Sequence, residues 1–152
     1  MLGTLTEEQI AHVLRSQIIG RLGCNNGSAM YIVPVTYVYY EGHIYAHAKE
    51  GMKVKLMREN PHVCLQVDEI DNMANWRSVI VWGEYEELRN AKEQEEGMKI
   101  MHDRLGPYQT SETVSPSARI TQGADFLQKG LKTVAYRIKV TKKSGRFEKG
   151  GY

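Results

Sequence analysis

Pro34 stands inside a run, residues 29–40, that otherwise reads as one long β-strand, because AMYIVPVTYVYY is dense in Val, Ile, Thr and Tyr. Proline has no N–H to give to a ladder, so within a sheet it is confined to an edge, a bulge or a bend. A flat central strand is therefore a poor home for this run, whereas a curved barrel strand accommodates it. The neighbouring text is strand-like as well. Residues 18–24 lead into Asn25-Asn26-Gly27-Ser28, whose Asn-Gly pair favours a tight hairpin turn. Glu41-Gly42 turns the long run into residues 43–48. Residues 62–70 and 76–88 read as two more strands, joined by the turn-rich Asp71-Asn72-Met73-Ala74-Asn75. A last strand is announced by Val134, Tyr136, Ile138 and Val140 alternating with Ala135, Arg137 and Lys139. The stretch that follows, residues 142–152, is basic and contains glycine, and reads as a tail.

Helices flank these six strands. Thr6 and Gln9 have the spacing of a capping box, with Leu5 and Ile10 at the positions of a hydrophobic staple. Ile10, Val13 and Leu14 continue as an apolar stripe, and the helix is expected to end near Ser16, before the β-branched pair Ile18-Ile19. Residues 52–60 form a short amphipathic stretch stopped by Pro61, and residues 91–104 are helical in pattern despite Gly97. Residues 105–117 read as a long loop, and residues 118–130 fit one or two helical turns or none. Six strands with few long helical insertions suit a closed or nearly closed barrel better than a layered α/β sheet. The expectation is a single mainly β domain over residues 1–152.

Composition removes several function classes. Twenty basic against 18 acidic side chains leave a net charge of +2, too even to argue for nucleic acid. No run approaches the roughly 18 apolar residues of a membrane helix, and the opening MLGTLTEEQI lacks the pattern of a signal peptide, so a cytoplasmic protein is expected. Cys24 and Cys64 show neither metal spacing nor a disulfide framework. His43 and His47 share one strand face but lie about 13 Å apart, too far to clasp one ion. No His, Cys and carboxylate cluster has ligand spacing, so no metal is expected. The serines lack a nucleophile-elbow context.

Two stretches can hold a ligand. His47-Ala48-Lys49-Glu50-Gly51-Met52-Lys53 runs from a strand through a short loop into a helix. A glycine before a helix start allows close approach by an anion, the first N–H groups point at it, and Lys53 adds a full charge. A lysine in the first turn of a surface helix is equally well explained as solvated. Trp76-Arg77-Ser78 opens a strand beside a polar loop. Its arginine and hydroxyl could donate to a heteroaromatic ligand that the indole covers, or the stretch is an aromatic core residue beside an exposed charge.

In combination, these pieces resemble the pyridoxamine 5′-phosphate oxidase-like flavoproteins, nearest the branch of the nitroimidazole-resistance (Nim) proteins. The likeness is carried by Ile19-Gly20-Arg21-Leu22-Gly23, by residues 31–39, by residues 47–53, by Asn60-Pro61-His62-Val63-Cys64, and by residues 76–83. It spans residues 5–88 and returns in 134–147. The resemblance implies a six-stranded split β-barrel that forms a homodimer and binds FMN across the interface. It implies that Pro34, Val35, Thr36, Tyr37, Val38 and Tyr39 line the flavin and that His47 and Ala48 lie beside it. Met52 and Lys53 would hold its phosphate, and Trp76, Arg77 and Ser78 would approach the ring. In the Nim branch a histidine at the His47 position belongs to the active site, which makes His47 the expected catalytic residue. The vitamin-B6 oxidases carry an Arg-Lys pair where this chain has Met52-Lys53. Their C-terminal substrate signature is not matched by Ser144-Gly145-Arg146-Phe147. The function implied is an FMN-dependent oxidoreductase, nitroreductase-like, acting on a small molecule with a small-molecule electron donor. The alternative is a flavin- or haem-binding module without turnover.

Overall fold

The structure is a computed structural model, and it describes residues 1–108 and 133–150. The chain opens with a short strand, β1 (Leu2–Thr4), and the helix α1 (Glu7–Ser16). The expected capping box is present: the Gln9 amide donates to Thr6 Oγ1 at 3.2 Å and the Thr6 amide to Gln9 Oε1 at 2.9 Å. Leu5 and Ile10 are both buried, as a staple requires, and Val13 and Leu14 are fully enclosed.

Six further strands and a helix follow. They are β2 (Ile19–Asn25), β3 (Met30–Thr36), β4 (Val38–Tyr40), β5 (His43–Lys49), α2 (Met52–Glu59), β6 (His62–Asn72) and β7 (Asn75–Glu87). The helix α3 (Ala91–Leu105) and a 3₁₀ turn, Gly106–Tyr108, come next; β8 (Thr133–Lys149) resumes the sheet. The expected loop of residues 105–117 thus begins as the end of α3 and one 3₁₀ turn, and the remainder, with residues 118–130, lies outside the described residues.

Pairing is antiparallel throughout, in the order β3-β2-β6-β7-β8-β5-β4, with β1 on β8. Its two ends, β3 and β4, are separated in the chain by one residue, Tyr37. A flat sheet would set those edges about 29 Å apart at the usual strand spacing. The sheet must therefore curl until its edges meet, and the result is a split barrel. Tyr37 is the seam. Its amide donates to the Ile18 carbonyl at 2.9 Å and its hydroxyl to the Leu14 carbonyl at 2.8 Å.

The seam corrects one expectation and supports another. The run of residues 29–40 is two strands, because the chain crosses from one sheet edge to the other at Tyr37. Pro34 does sit on an edge strand, opposite Arg21, one of the places where a sheet tolerates a residue without an N–H. A second correction concerns the tail. Residues 142–149 continue β8, pairing with β7 past a register shift at Trp82/Gly83 and with β1 beyond it. Lysines on both faces (Lys142 with Arg146 on one, Lys143 and Lys149 on the other) hid a strand whose only buried or apolar positions are Gly145 and Phe147. Gly145 is needed there, since a Cβ would come within 2.8 Å of the Leu5 and Ile10 side chains that seat α1.

The barrel interior is filled from β2, β3, β5, β6, β7 and β8 by residues such as Leu22, Val35, Ile44, Leu65, Val81 and Tyr136, together with Val13 and Leu14 of α1 and Val54, Leu56 and Met57 of α2. A second cluster lies outside the barrel, where Met98, Met101 and Leu105 of α3 cover Val38, Tyr45 and Ala135. The outer face of β2 and β3 has no such cover among the described residues. Met30 is 87%, Ile32 71% and Ile19 50% exposed there.

Candidate functional site

The corner between β5 and α2 has the features of an anion cradle. Gly51 caps α2 with an extended backbone, φ 178°, which any residue can adopt, so glycine is not required for the turn. What glycine does is leave the first helical amides uncovered. No side chain caps them and no acidic residue stands in the first turn. Those amides have no intrahelical acceptors and carry the positive end of the helix dipole.

Lys53 points its charge into the same corner. It is half-buried, and burial lowers its pKa, with a small opposing influence from Cys24. Among the described residues it forms no ion pair. His47 is also half-buried; burial first, then the Lys53 charge, brings its pKa from 6.5 down to about 4, so the imidazole is neutral at physiological pH. Cys24 is raised by burial and by Cys64, with Lys53 acting against them. The Lys53 charge thus acts on both His47 and Cys24. Both thiols are free, Cys24 buried and Cys64 half-buried, on opposite faces of adjacent strands. Met52 is 57% exposed beside Lys53. Ala48 is buried in the core, which leaves its backbone alone to meet a ligand.

The β3–β4 residues divide in the same way. Val35 and Tyr37 are held in the barrel core and Val38 under α3. Pro34 is exposed, while Thr36 and Tyr39 are half-buried, so these three side chains and the intervening backbone are what a ligand could touch. The Arg15 guanidinium lies 5.9 Å over the Tyr39 ring. Tyr39 also borders an open groove of about 700 Å³ with Glu7, Glu8, His12, Arg15 and Lys143, a feature of α1 that the sequence reading did not single out.

Trp76, Arg77 and Ser78 lie elsewhere. Cys24 neighbours Gly23, which pairs with Cys64, whereas Ser78 pairs with Asp68 and Trp76 with Ile70. At about 3.3 Å per residue, roughly 15–25 Å of strand separates the two groups. One chain does not bring them together. The side chains of Trp76 and Ser78 are already engaged: Trp76 Nε1 donates to Glu148 at 3.1 Å, and Gln66 Nε2 donates to Ser78 Oγ at 3.0 Å. Arg77 is half-buried opposite Glu69, and its side chain has no hydrogen bond or ion pair among the described residues.

Sequence reasoning also missed a network behind the corner. Arg58, in the last turn of α2, donates to both oxygens of Glu50 at 2.9 and 2.8 Å and to Glu87 at 2.8 Å. Tyr85 adds a 2.7 Å bond to the same Glu87 oxygen. Nothing in local spacing signals a contact between residues eight and 29 apart. No group of three or more His, Cys, Asp or Glu side chains suited to a metal occurs among the described residues.

A profile of the pyridoxamine 5′-phosphate oxidase family matches residues 6–147, nearly the whole chain, from the N-cap of α1 into β8. The chain belongs to that family. Its fold recurs in a FAD-binding protein from Mesorhizobium loti, 32% identical with a TM-score of 0.71, over 97% of this chain and 98% of that one. A candidate 5-nitroimidazole antibiotic resistance protein from Bacteroides thetaiotaomicron shares the fold at 15% identity and TM-score 0.68, over 97% and 89% of the two chains. An uncharacterized protein of Rhizobium meliloti, RA0666, is 36% identical over 84 residues, 55% of this chain and 56% of that protein. The match therefore spans just over half the length of that curated relative. As a family member the chain has the expected split barrel, and no helix among its described residues is long and apolar enough to cross a membrane.

Proposed function

We propose that this chain binds FMN between two copies of itself and works as a flavin-dependent oxidoreductase, nitroreductase-like, on a small molecule. The observation that carries the reading is Lys53: a half-buried ammonium without a carboxylate partner among the described residues, at a helix start whose amides are uncapped. A dianionic phosphate completes that arrangement, because it supplies the negative charge that burial makes costly to be without.

The remaining residues take roles set by their exposure. First-turn amides and Lys53 hold the phosphate, with the Met52 side chain alongside. Pro34, Thr36 and Tyr39 offer side chains to the ring, while Val35, Tyr37, Val38 and Ala48 offer backbone. His47, neutral, can donate from one ring nitrogen and accept at the other, which suits it to handling a proton beside the flavin. Trp76, Arg77 and Ser78 reach the ring from the second copy, since their own chain holds them too far from Lys53. The uncovered apolar face of Ile19, Met30 and Ile32 is the surface that a second copy would cover. Bound flavin itself supplies the hydride or electron transfer. The setting we propose is the cytoplasm, which agrees with two free thiols.

FMN rather than FAD is the finer part of the reading, and the FAD-binding relative from Mesorhizobium loti makes it worth deciding directly. Purified protein should be yellow, and acid-released cofactor separated by chromatography should run as FMN. Lys53→Ala should weaken FMN binding by about 1.5–3 kcal/mol, the range for a hydrogen bond to a charged group, read by quenching of flavin fluorescence. An unchanged dissociation constant would make Lys53 merely exposed, and colourless protein indifferent to added flavin would end the proposal.

A further inference from the structure

We infer that Arg58 is a positioning residue for the phosphate corner: it holds the Glu50 carboxylate away from Lys53 and the first amides of α2. The inference deepens the flavin reading and rests on it. Glu50 stands next to the N-cap Gly51 and three residues before Lys53, on the approach to the cradle. A carboxylate there is drawn to the positive end of the helix and to the nearest ammonium, the same groups that a phosphate needs. Left to itself, Glu50 would compete with the ligand and repel it.

The structure shows Glu50 turned elsewhere. Both its oxygens accept from the terminal nitrogens of Arg58, at 2.8 and 2.9 Å, in a fork that fixes the direction of the carboxylate as well as its charge. Arg58 is itself anchored, because its Nε donates to Glu87 at 2.8 Å and Glu87 takes a second bond from the Tyr85 hydroxyl at 2.7 Å. The Arg58 bond, more than the others, draws the Glu87 pKa below the usual carboxylate range. The guanidinium thus joins the loop before α2 to the end of β7. Arg58 and Glu50 are each 37% exposed, and pairs at such exposure contribute little to stability. What the pair does fix is where Glu50 points.

The test is a cycle of Arg58→Ala, Glu50→Gln and the double variant in the full-length chain, titrated with FMN by fluorescence quenching. Arg58→Ala should raise the FMN dissociation constant about tenfold, by freeing a charged competitor. Glu50→Gln alone should change it by less than about twofold, and the double variant should return it close to wild type. A purely structural role for Arg58 predicts no such rescue, so a double variant as weak as Arg58→Ala overturns the inference. Should Arg58→Ala melt below the titration temperature, Arg58→Lys carries the same test. A single ammonium cannot fork onto Glu50 while holding Glu87, and Glu50→Gln should again restore binding. Binding that depends on Lys53 but ignores Arg58 overturns this inference alone. FMN binding that is absent, or indifferent to Lys53→Ala, overturns the flavin reading together with it.

Discussion

The two ends of the β6–β7 ladder hold similar polar residues and treat them in opposite ways. At the far end, Trp76 is bonded to Glu148, Ser78 to Gln66, and Arg21 lies 3.3 Å from Asp68. At the near end, Glu50 and Glu87 are gathered onto Arg58, and Lys53 is left with its charge and no carboxylate among the described residues. A ligand site is found where charge remains after internal pairing is complete, not where polar residues are dense. By that criterion the near end is the candidate cradle that we propose, and the far end reads as scaffold with one loose guanidinium, Arg77.

The most forceful way to break this comparison is to keep the ends apart. If the far end meets the flavin only through a second copy, a charge on the uncovered face should separate the two. Ile32→Glu changes a residue that is 71% exposed, so the single chain should fold as before. Burying an unpaired carboxylate in a contact between copies costs at least about 3 kcal/mol. Sedimentation velocity at micromolar protein with FMN present should show a monomer, and FMN affinity should fall roughly 100-fold or more. A variant that stays dimeric and binds as tightly as wild type would place the contact on another face.

A smaller effect sharpens what the near end does with its histidine. Burial holds His47 neutral down to about 4, against an ordinary value of 6.5. Between those values the unfolded chain takes up a proton that the folded chain refuses. Stability is therefore whole above pH 6.5 and drains away as the pH falls towards 4. Denaturant melts of the flavin-free protein should lose about 1–3 kcal/mol across that window relative to His47→Gln, which has no such proton to bind. Parallel pH profiles for the two chains would show that His47 is freely hydrated.

How much of this was legible in the sequence follows from the range over which each signal acts. The capping box of Thr6 and Gln9 is complete within four residues, so the pattern alone located α1 and its start. Pro34 marked an edge, a bulge or a bend because one missing N–H is a local fact. Tyr37 could not be read as a seam, since the break in the run comes from where the sheet's two edges meet after curling. The strand at residues 142–149 was hidden because lysines occupy both of its faces and Phe147 is its one large apolar side chain, a pattern with little hydrophobic contrast. Lys53 was found as a charge at a helix start, but its lack of a partner depends on Arg58 reaching Glu50 and Glu87, contacts fixed by the packing of α2 against β7. Local chemistry was visible; which charges cancel was not.

The least effect expected is also the finest test of the difference between the ends. Ser78 accepts from Gln66 within its own chain, and its hydroxyl hydrogen remains to be given to a flavin held mainly by the second copy. Ser78→Ala should then weaken FMN binding by about 0.5–1.5 kcal/mol, the worth of one neutral hydrogen bond. Trp76→Phe keeps an aromatic ring and removes only the N–H that already serves Glu148, so it should lower the melting temperature slightly and leave FMN affinity almost unchanged. The two substitutions are two residues apart on one strand and should differ in kind, one read in binding and the other in stability. If Ser78→Ala instead weakens binding as much as Lys53→Ala does, the far end carries the charge-assisted contact. The Ser78 hydroxyl would then be donating to the charged group of the ligand, and the roles of the two ends would have to be exchanged.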